Sequence, residues 1–294
     1  MKFLDLIHAL RPRQWTKNAV IFAPIVFAMG DATLQIPFSN FGKVAWATAC
    51  FCMASSGVYL INDLKDREQD RAHPFKKYRP IAAGKVRPGL AGSISIGLIL
   101  SACVLGYTAS PELAQVLGGY VALQLAYTFL IKRLAMIDVL VIASGFVLRA
   151  IAGAVVIGVT VSPWLLICTF FLAIFLGLCK RRQEFVDRDM QSNQATRRSL
   201  DPYDERLLDQ LIGMIASCTL LCYSVYTLDA ETVEKFGTTQ LSFTLPFVIF
   251  GLFRYLYLVY RRDLGERPEE VLLTDMPLLI DLALYGLTVI YILH

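Results

Sequence analysis

Charge is what this sequence has little of. Only 18% of its 294 residues are Asp, Glu, Lys or Arg, 56% are hydrophobic, and mean hydropathy is +0.54. Soluble domains carry about a quarter charged residues, so an ordinary soluble chain is excluded. Histidine is almost as scarce: His8, His73 and His294 are scattered, which argues against a histidine metal centre. The seven cysteines lie in or beside apolar stretches, with no C-x-x-C pair, and read as small buried hydrophobes. The chain has no G-x-x-x-x-G-K-[ST] phosphate loop, Gly/Ser linker or low-complexity tract. MKFLDLIHALRPRQW carries Asp5 and no long apolar core, unlike a cleavable signal peptide. One membrane-embedded domain over 1–294 is therefore expected, an all-α polytopic membrane protein.

A spanning helix needs roughly 20 mostly apolar residues. Nine stretches qualify, near 18–37, 41–62, 89–109, 112–131, 135–157, 162–179, 207–228, 240–260 and 276–293. With the N-terminus inside and the C-terminus outside, only Lys43 and Lys235 of the 28 Lys and Arg fall on outer connections, and only Arg149 and Arg254 within spans. This asymmetry follows the positive-inside rule and predicts an inner (plasma) membrane protein with its charged face towards the cytoplasm. The net charge of +4 then serves anionic headgroups or an anionic substrate rather than nucleic acid. Phe3, Leu4, Ile7 and Leu10 share a helical face near Lys2, Arg11, Arg13 and Lys17, predicting an interfacial helix over 1–17.

The remaining charge gathers in two inner loops, 63–88 and 180–206. The first is entered through NDLKDREQD (62–70), directly after the uncharged run VAWATACFCMASSGVYLI. If the preceding helix continues, Asn62, Asp66 and Asp70 lie at i, i+4 and i+8 on one face, with Asp63 beside them. Like charges at that spacing repel, and a divalent cation offsets this well. Carboxylate and amide oxygens suit Mg²⁺, which completes its shell with phosphate and water. The competing reading is a solvated loop neutralised by Lys65, Arg67 and Arg71. Against it, His73-Pro74 forces an extended break, and Lys76, Lys77, Arg79, Lys85 and Arg87 follow. Acids beside cations in this way suggest a Mg²⁺–diphosphate site. In the second loop the cations lead: Lys180-Arg181-Arg182-Gln183-Glu184, then Asp187, Arg188 and Asp189. An ordinary positive-inside anchor reads equally well there. Asp138, Arg149, Arg254 and Asp281 fall within spans, where ions face a bundle interior or polar cavity; for Asp138, a structural salt bridge and a catalytic role stay open.

N62-x3-D66-x3-D70 followed by HPFKKYRPIAAGKV resembles the first signature of the UbiA superfamily of intramembrane prenyltransferases, and the nine-helix count agrees along the chain. The resemblance implies a nine-helix bundle in which two aspartate-rich motifs hold two Mg²⁺ on a prenyl diphosphate. Where the second motif, DxxxD, should stand, this sequence has KRRQE at 180–184. That departure, RPRQWTKNAVIFAP at 11–24 and YSVYTLDAET at 223–232 are similar to the decaprenyl-phosphate phosphoribosyltransferase branch. The implied reaction transfers 5-phosphoribose from phosphoribosyl diphosphate to a polyprenyl phosphate, releasing diphosphate.

On this reading Asn62, Asp66 and Asp70, with Asp63 contributing, hold Mg²⁺ on the leaving group. Lys77 and Arg79, or Lys17, clamp phosphates. Lys180 and Arg181 bind the 5-phosphate side, with Glu184 placing them or meeting a ribose hydroxyl. One metal site plus a Lys/Arg cluster can hold three anionic groups. The alternative is prenyl transfer to an aromatic acceptor, which calls for acids where KRRQE stands. A transporter is disfavoured because the polar residues concentrate at the inner ends of the spans rather than at the midplane. Gly145, Gly153 and Gly158 suit helix packing or contacts in a homo-oligomer equally.

Overall fold

The computed structural model describes residues 3–31, 34, 36–72, 76–131, 136–160, 162–191, 204–262, 265, 271 and 274–293. Helix α1 (Phe3–Leu10) leads through Arg11 into a 3₁₀ helix (Pro12–Phe22) and then α2 (Ala23–Met29). The expected helix over 1–17 is thus broken at Arg11. The expected first span, 18–37, is likewise not one helix. Pro24 has no N–H and its ring opposes a continuous α-helix, but it is tolerated in a first turn, and α2 begins one residue before it.

There follow α3 (Ser39–Lys65), α4 (Arg67–Ala72), α5 (Pro88–Ala109) and α6 (Pro111–Ala126), which runs on as a π-helical turn to Ile131. Beyond these lie α7 (Ile137–Ile157), α8 (Pro163–Gln191), α9 (Glu205–Leu228), α10 (Ala230–Phe236), α11 (Leu245–Arg262) and α12 (Met276–Leu293). Among the described residues, eight helices are long and apolar enough to cross a membrane, rather than the expected nine. Helix α8 carries on through Gln191, so the predicted loop 180–206 is helical at its start.

The chain forms two compact units. One comprises Met1–Val26, Ile36–Leu134 and Gly145–Val161; the other comprises Phe27–Gln35, Ala135–Ser144 and Ser162–His294. In the first, α3 packs on α5, α6 and the 3₁₀ segment. The small run Ala54-Ser55-Ser56-Gly57 of α3 is buried, and the Ser95 hydroxyl donates to the Gly57 carbonyl at 2.7 Å. Small residues let two backbones approach where lipid supplies no hydrophobic drive. Helix α7 meets the 3₁₀ segment in the same way: a Cβ on Gly153 would lie 2.0 Å from the Ile21 carbonyl oxygen. One turn earlier Arg149 donates to Asn18 Oδ1 at 2.7 Å, to the Gly145 carbonyl at 2.7 Å and to Tyr120 Oη at 3.1 Å. Gly145 and Gly153 therefore serve packing within this unit, one of the two roles open from sequence.

In the second unit α8 packs on α9, and α11 on α12. Tyr223 shares hydrogen bonds with Thr244 at 2.6 Å and with Tyr285 at 3.2 Å, inside a cluster with Tyr226, Phe236 and Leu241. The Cys168 and Cys222 sulfurs lie 3.6 Å apart. Arg254 meets Asp275 through two hydrogen bonds, Nε to Oδ1 at 3.0 Å and Nη2 to Oδ2 at 2.8 Å. That pair holds the Asp275 carboxyl below the usual carboxylate range, chiefly through the arginine's hydrogen bonds.

Gly153→Ala is expected to cost about 1–3 kcal/mol through the clash with the Ile21 backbone. Gly118→Ala, which meets nothing within 4 Å, should be near neutral. Thermal unfolding in detergent compares them, and equal Tm values would show that α7 and the 3₁₀ segment are not in backbone contact. For Asp275 the lowered folded-state pKa means stabilisation that is present above the unfolded value of about 3.9 and is lost as pH falls through the folded one. Asp275→Asn should therefore lie below wild type in Tm at neutral pH, the gap closing in acid. A gap independent of pH would remove the charge as its cause.

Candidate active site

Helix α3 brings the acidic run to its own end. The chain stays nearly helical through it: Asp66 N–H donates to the Asn62 carbonyl at 2.9 Å, and Asp70 N–H to the Asp66 carbonyl at 2.8 Å. The expected unbroken helix is nonetheless interrupted, because α3 stops at Lys65 and Asp66 (φ −88°, ψ 1°) joins it to α4. Asp63, Asp66 and Asp70 are buried and Asn62 is half-buried.

The basic sequel is placed by its apolar residues. Ile81 and Val86 insert into a buried cluster with Ala9, Leu60 and Ala91. Between them the chain turns at Gly84, in left-handed conformation (φ +72°), where a side chain would be strained. Lys85 and Val86 N–H groups both donate to the Pro80 carbonyl, at 2.9 and 3.2 Å. Arg71 of α4 donates to the Ala82 carbonyl at 3.1 Å, tying the loop to the helix. Arg79 is thereby set against the acids: its Nη1 lies 2.7 Å from Asp70 Oδ2 and 3.2 Å from Asp63 Oδ1. Asp63 Oδ1 also accepts from Arg11 Nη2 at 2.5 Å.

Of the residues expected at the site, the fold thus gathers Asp63, Asp70 and Arg79. Lys77 is exposed, its Nζ 5.2 Å from the Tyr78 ring centroid, and Lys17 is half-buried on the 3₁₀ segment. Arg11 was missed as a site residue. Its signal was visible in RPRQW, an arginine fixed by a following proline where the interfacial helix ends. His73-Pro74 lies outside the described residues.

In the second unit, the KRRQE stretch divides its labour. Arg181 Nε lies 2.6 Å from Asp138 Oδ2, and Arg181 also pairs with Glu184. Arg182 is instead buried as a pin: its Nε meets Asp209 Oδ1 at 2.6 Å, its Nη2 meets Glu205 Oε1 at 3.0 Å, and it stacks 4.2 Å from the Tyr260 ring centroid. Lys180 is half-buried. Asp138 is therefore a salt-bridge partner, one of the two roles open from sequence. The side chains of Asp187, Arg188 and Asp189 lie outside the described residues.

A model of the UbiA prenyltransferase family matches residues 21–273. The chain belongs to the UbiA prenyltransferase family. Its relatives include proteins named decaprenyl-phosphate phosphoribosyltransferase. That of Mycolicibacterium smegmatis is 35% identical over 92% of this chain and 86% of its own length. That of Corynebacterium glutamicum is 36% identical, covering 92% and 81%. A UbiA homologue from Archaeoglobus fulgidus, whose structure holds GPP and Mg²⁺, aligns with TM-score 0.71 at 19% identity, over 98% of this chain and 99% of its own. The last likeness shows the shared fold. This UbiA-family chain is an integral membrane transferase.

The donor set at the end of α3 fits a hard cation of the kind that UbiA homologue binds. Two carboxylates, Asp63 and Asp70, converge on one guanidinium nitrogen, and Mg²⁺ ordinarily takes one or two carboxylates and leaves the rest of its shell to phosphate and water. No group of three or more His, Cys, Asp or Glu is poised as metal ligands among the described residues, so a closed all-protein cage is not what the site offers.

The division within KRRQE gives a direct test. Arg182→Gln, which removes two ion pairs and a ring contact, is expected to lower stability by about 1–3 kcal/mol. Lys77→Gln, on an exposed side chain, should stay within about 0.5 kcal/mol of wild type. Tm in detergent reads both, and an unchanged Tm for Arg182→Gln would show that Arg182 is not a structural pin.

Proposed function

We propose that this chain transfers 5-phosphoribose from phosphoribosyl diphosphate to a polyprenyl phosphate, releasing diphosphate and forming polyprenyl-phosphoryl-5-phosphoribose. The observation that carries the reading is the likeness to the named phosphoribosyltransferases over 92% of the chain. The arginine at 181, held between Asp138 and Glu184, supports it, since acids alone would be wanted there for prenyl transfer.

Asp66, Asp70 and Asn62, with Asp63, would hold Mg²⁺ on the diphosphate of the donor. Bound there, the ion would neutralise charge building on the leaving group. Arg79, Lys77 and Lys17 supply positive charge for phosphate oxygens, and Arg79 already stands among the acids. Lys180, Arg181 and Glu184 are the candidates for the phosphoribosyl end. The acceptor phosphate is an anion near neutral pH and needs no general base. Its oxygen attacks the anomeric carbon as the C–O bond to diphosphate breaks, inverting that centre. Catalysis is then mostly positioning and electrostatics. The clustering of Lys and Arg at one side of the spans supports an inner-membrane location with the site facing the cytoplasm.

The test supplies purified protein in detergent with labelled phosphoribosyl diphosphate and polyprenyl phosphate, and in parallel with a prenyl diphosphate and an aromatic acid. Label should enter lipid only with Mg²⁺ present, and Asp66→Asn should lower the rate by about a hundredfold or more. Prenylated aromatic product in place of labelled lipid would replace this reading with the commoner family reaction.

A further inference from the structure

Among the described residues, arginines hold carboxylates in more than one way. Arg254 grips Asp275 with two parallel hydrogen bonds, the fork geometry that commits a guanidinium to one partner. Arg182, which pairs with Asp209 and Glu205, is buried, with 8% of its surface exposed. Arg11 and Arg79 differ on both counts. Their side chains keep 25% and 27% exposure while those of Asp63 and Asp70 keep 3% and 5%. Each reaches the acids through a single nitrogen, Nη2 of Arg11 and Nη1 of Arg79. These two guanidiniums cover buried acids from the open side and leave most of their N–H donors outside the pairs.

Arg11 is also held there at a backbone cost. It adopts φ 54°, ψ 57°, a left-handed conformation that non-glycine residues avoid, and it precedes a proline. The joint is fixed from both sides by one hydroxyl: Ser56 Oγ donates to the Leu10 carbonyl at 2.8 Å and accepts from Trp15 Nε1 at 3.0 Å. The guanidinium lies 5.1 Å from the Tyr59 ring centroid and shares Asp63 Oδ1 with Arg79. Two like charges on one oxygen repel, so the arrangement is easily exchanged.

The charge balance says for what. Two guanidiniums balance the charges of Asp63 and Asp70, and Asp66, also buried, adds one negative charge to the stripe. A divalent cation entering alone would leave excess positive charge on buried acids, which is costly in a poorly hydrated site. A cation entering with a diphosphate would not, because the displaced guanidiniums have phosphate oxygens to take.

Resting on the reading of this stripe as a cation–diphosphate site, we propose that Arg11 and Arg79 are exchangeable counter-ions of Asp63 and Asp70. They pass together to the phosphate oxygens when a divalent cation takes the carboxylates, so cation and diphosphate bind with strong positive coupling. No covalent bond changes in the exchange. By linkage, each ligand tightens the other by the same factor.

Mn²⁺ binding to the full-length protein in detergent tests this, with free Mn²⁺ read by electron paramagnetic resonance, alone and with methylenediphosphonate, after correction for their complex in solution. Wild type should bind Mn²⁺ at least about tenfold more tightly with the diphosphonate. Arg79→Gln should bind Mn²⁺ alone about tenfold more tightly than wild type and lose most of the coupling, and Arg11→Gln should move the same way by less. Gel filtration reports folding, and should Arg79→Gln aggregate, the wild-type coupling and Arg11→Gln decide. Wild-type Mn²⁺ affinity indifferent to diphosphonate, or folded variants no tighter for Mn²⁺ than wild type, would make the two arginines fixed props and overturn the exchange. Neither readout involves group transfer. Coupling without phosphoribosyl transfer would keep the exchange and remove the proposed reaction; transfer without coupling would do the reverse.

Discussion

A carboxylate buried at the end of an apolar helix has to be paired, and in the first unit that requirement falls on Asp63. Taking such a charge out of water without a partner costs several kcal/mol. Helix α3 must be apolar to span lipid and must also end in the acidic run, so its last turns carry the expense. Arg79 and Arg11 meet it from different parts of the chain. Much of the surrounding structure serves to deliver them: Ile81 and Val86 anchor the basic loop, and the Ser56 hydroxyl brackets Arg11. Further along the same 3₁₀ segment, the Arg149–Asn18 bond and the bare face of Gly153 fix it against α7.

The same residue type carries opposite duties elsewhere. Arg149 has neutral acceptors and aromatic faces around it, with ring centroids of Phe51, Tyr120 and Phe146 at 5.8, 4.8 and 5.4 Å. Cation–π contact and backbone carbonyls can solvate a guanidinium within a bundle. Arg182 and Arg254 pin helices of the second unit, whereas Arg181 stands between two carboxylates. Adjacent cations in KRRQE therefore differ in kind, because successive residues of a helix point about a hundred degrees apart and meet different neighbours.

Much was legible beforehand. Apolar length gave the helices, since only a helix satisfies its own backbone along such a run. The spacing of Asn62, Asp66 and Asp70 marked the candidate site, and its resemblance to the UbiA superfamily agrees with the family match. The first expected span is not one continuous helix; hydropathy averages over Pro24 and does not register the change from 3₁₀ to α geometry. Arg11 was missed for a related reason: a single arginine before a proline looks like an interfacial anchor until its partner is known. Asp138 and Arg181, 43 positions apart in the chain, could not be paired by pattern alone.

By itself the sequence determined that this chain is a helical membrane protein with acids at the end of one span and cations after them, because burial in lipid and local spacing are properties of short segments. Only the tertiary structure decided which cation meets which acid. That choice depends on residues distant in sequence, such as Ile81 against Leu60 and Ser56 against Leu10, whose packing sets where each guanidinium can reach.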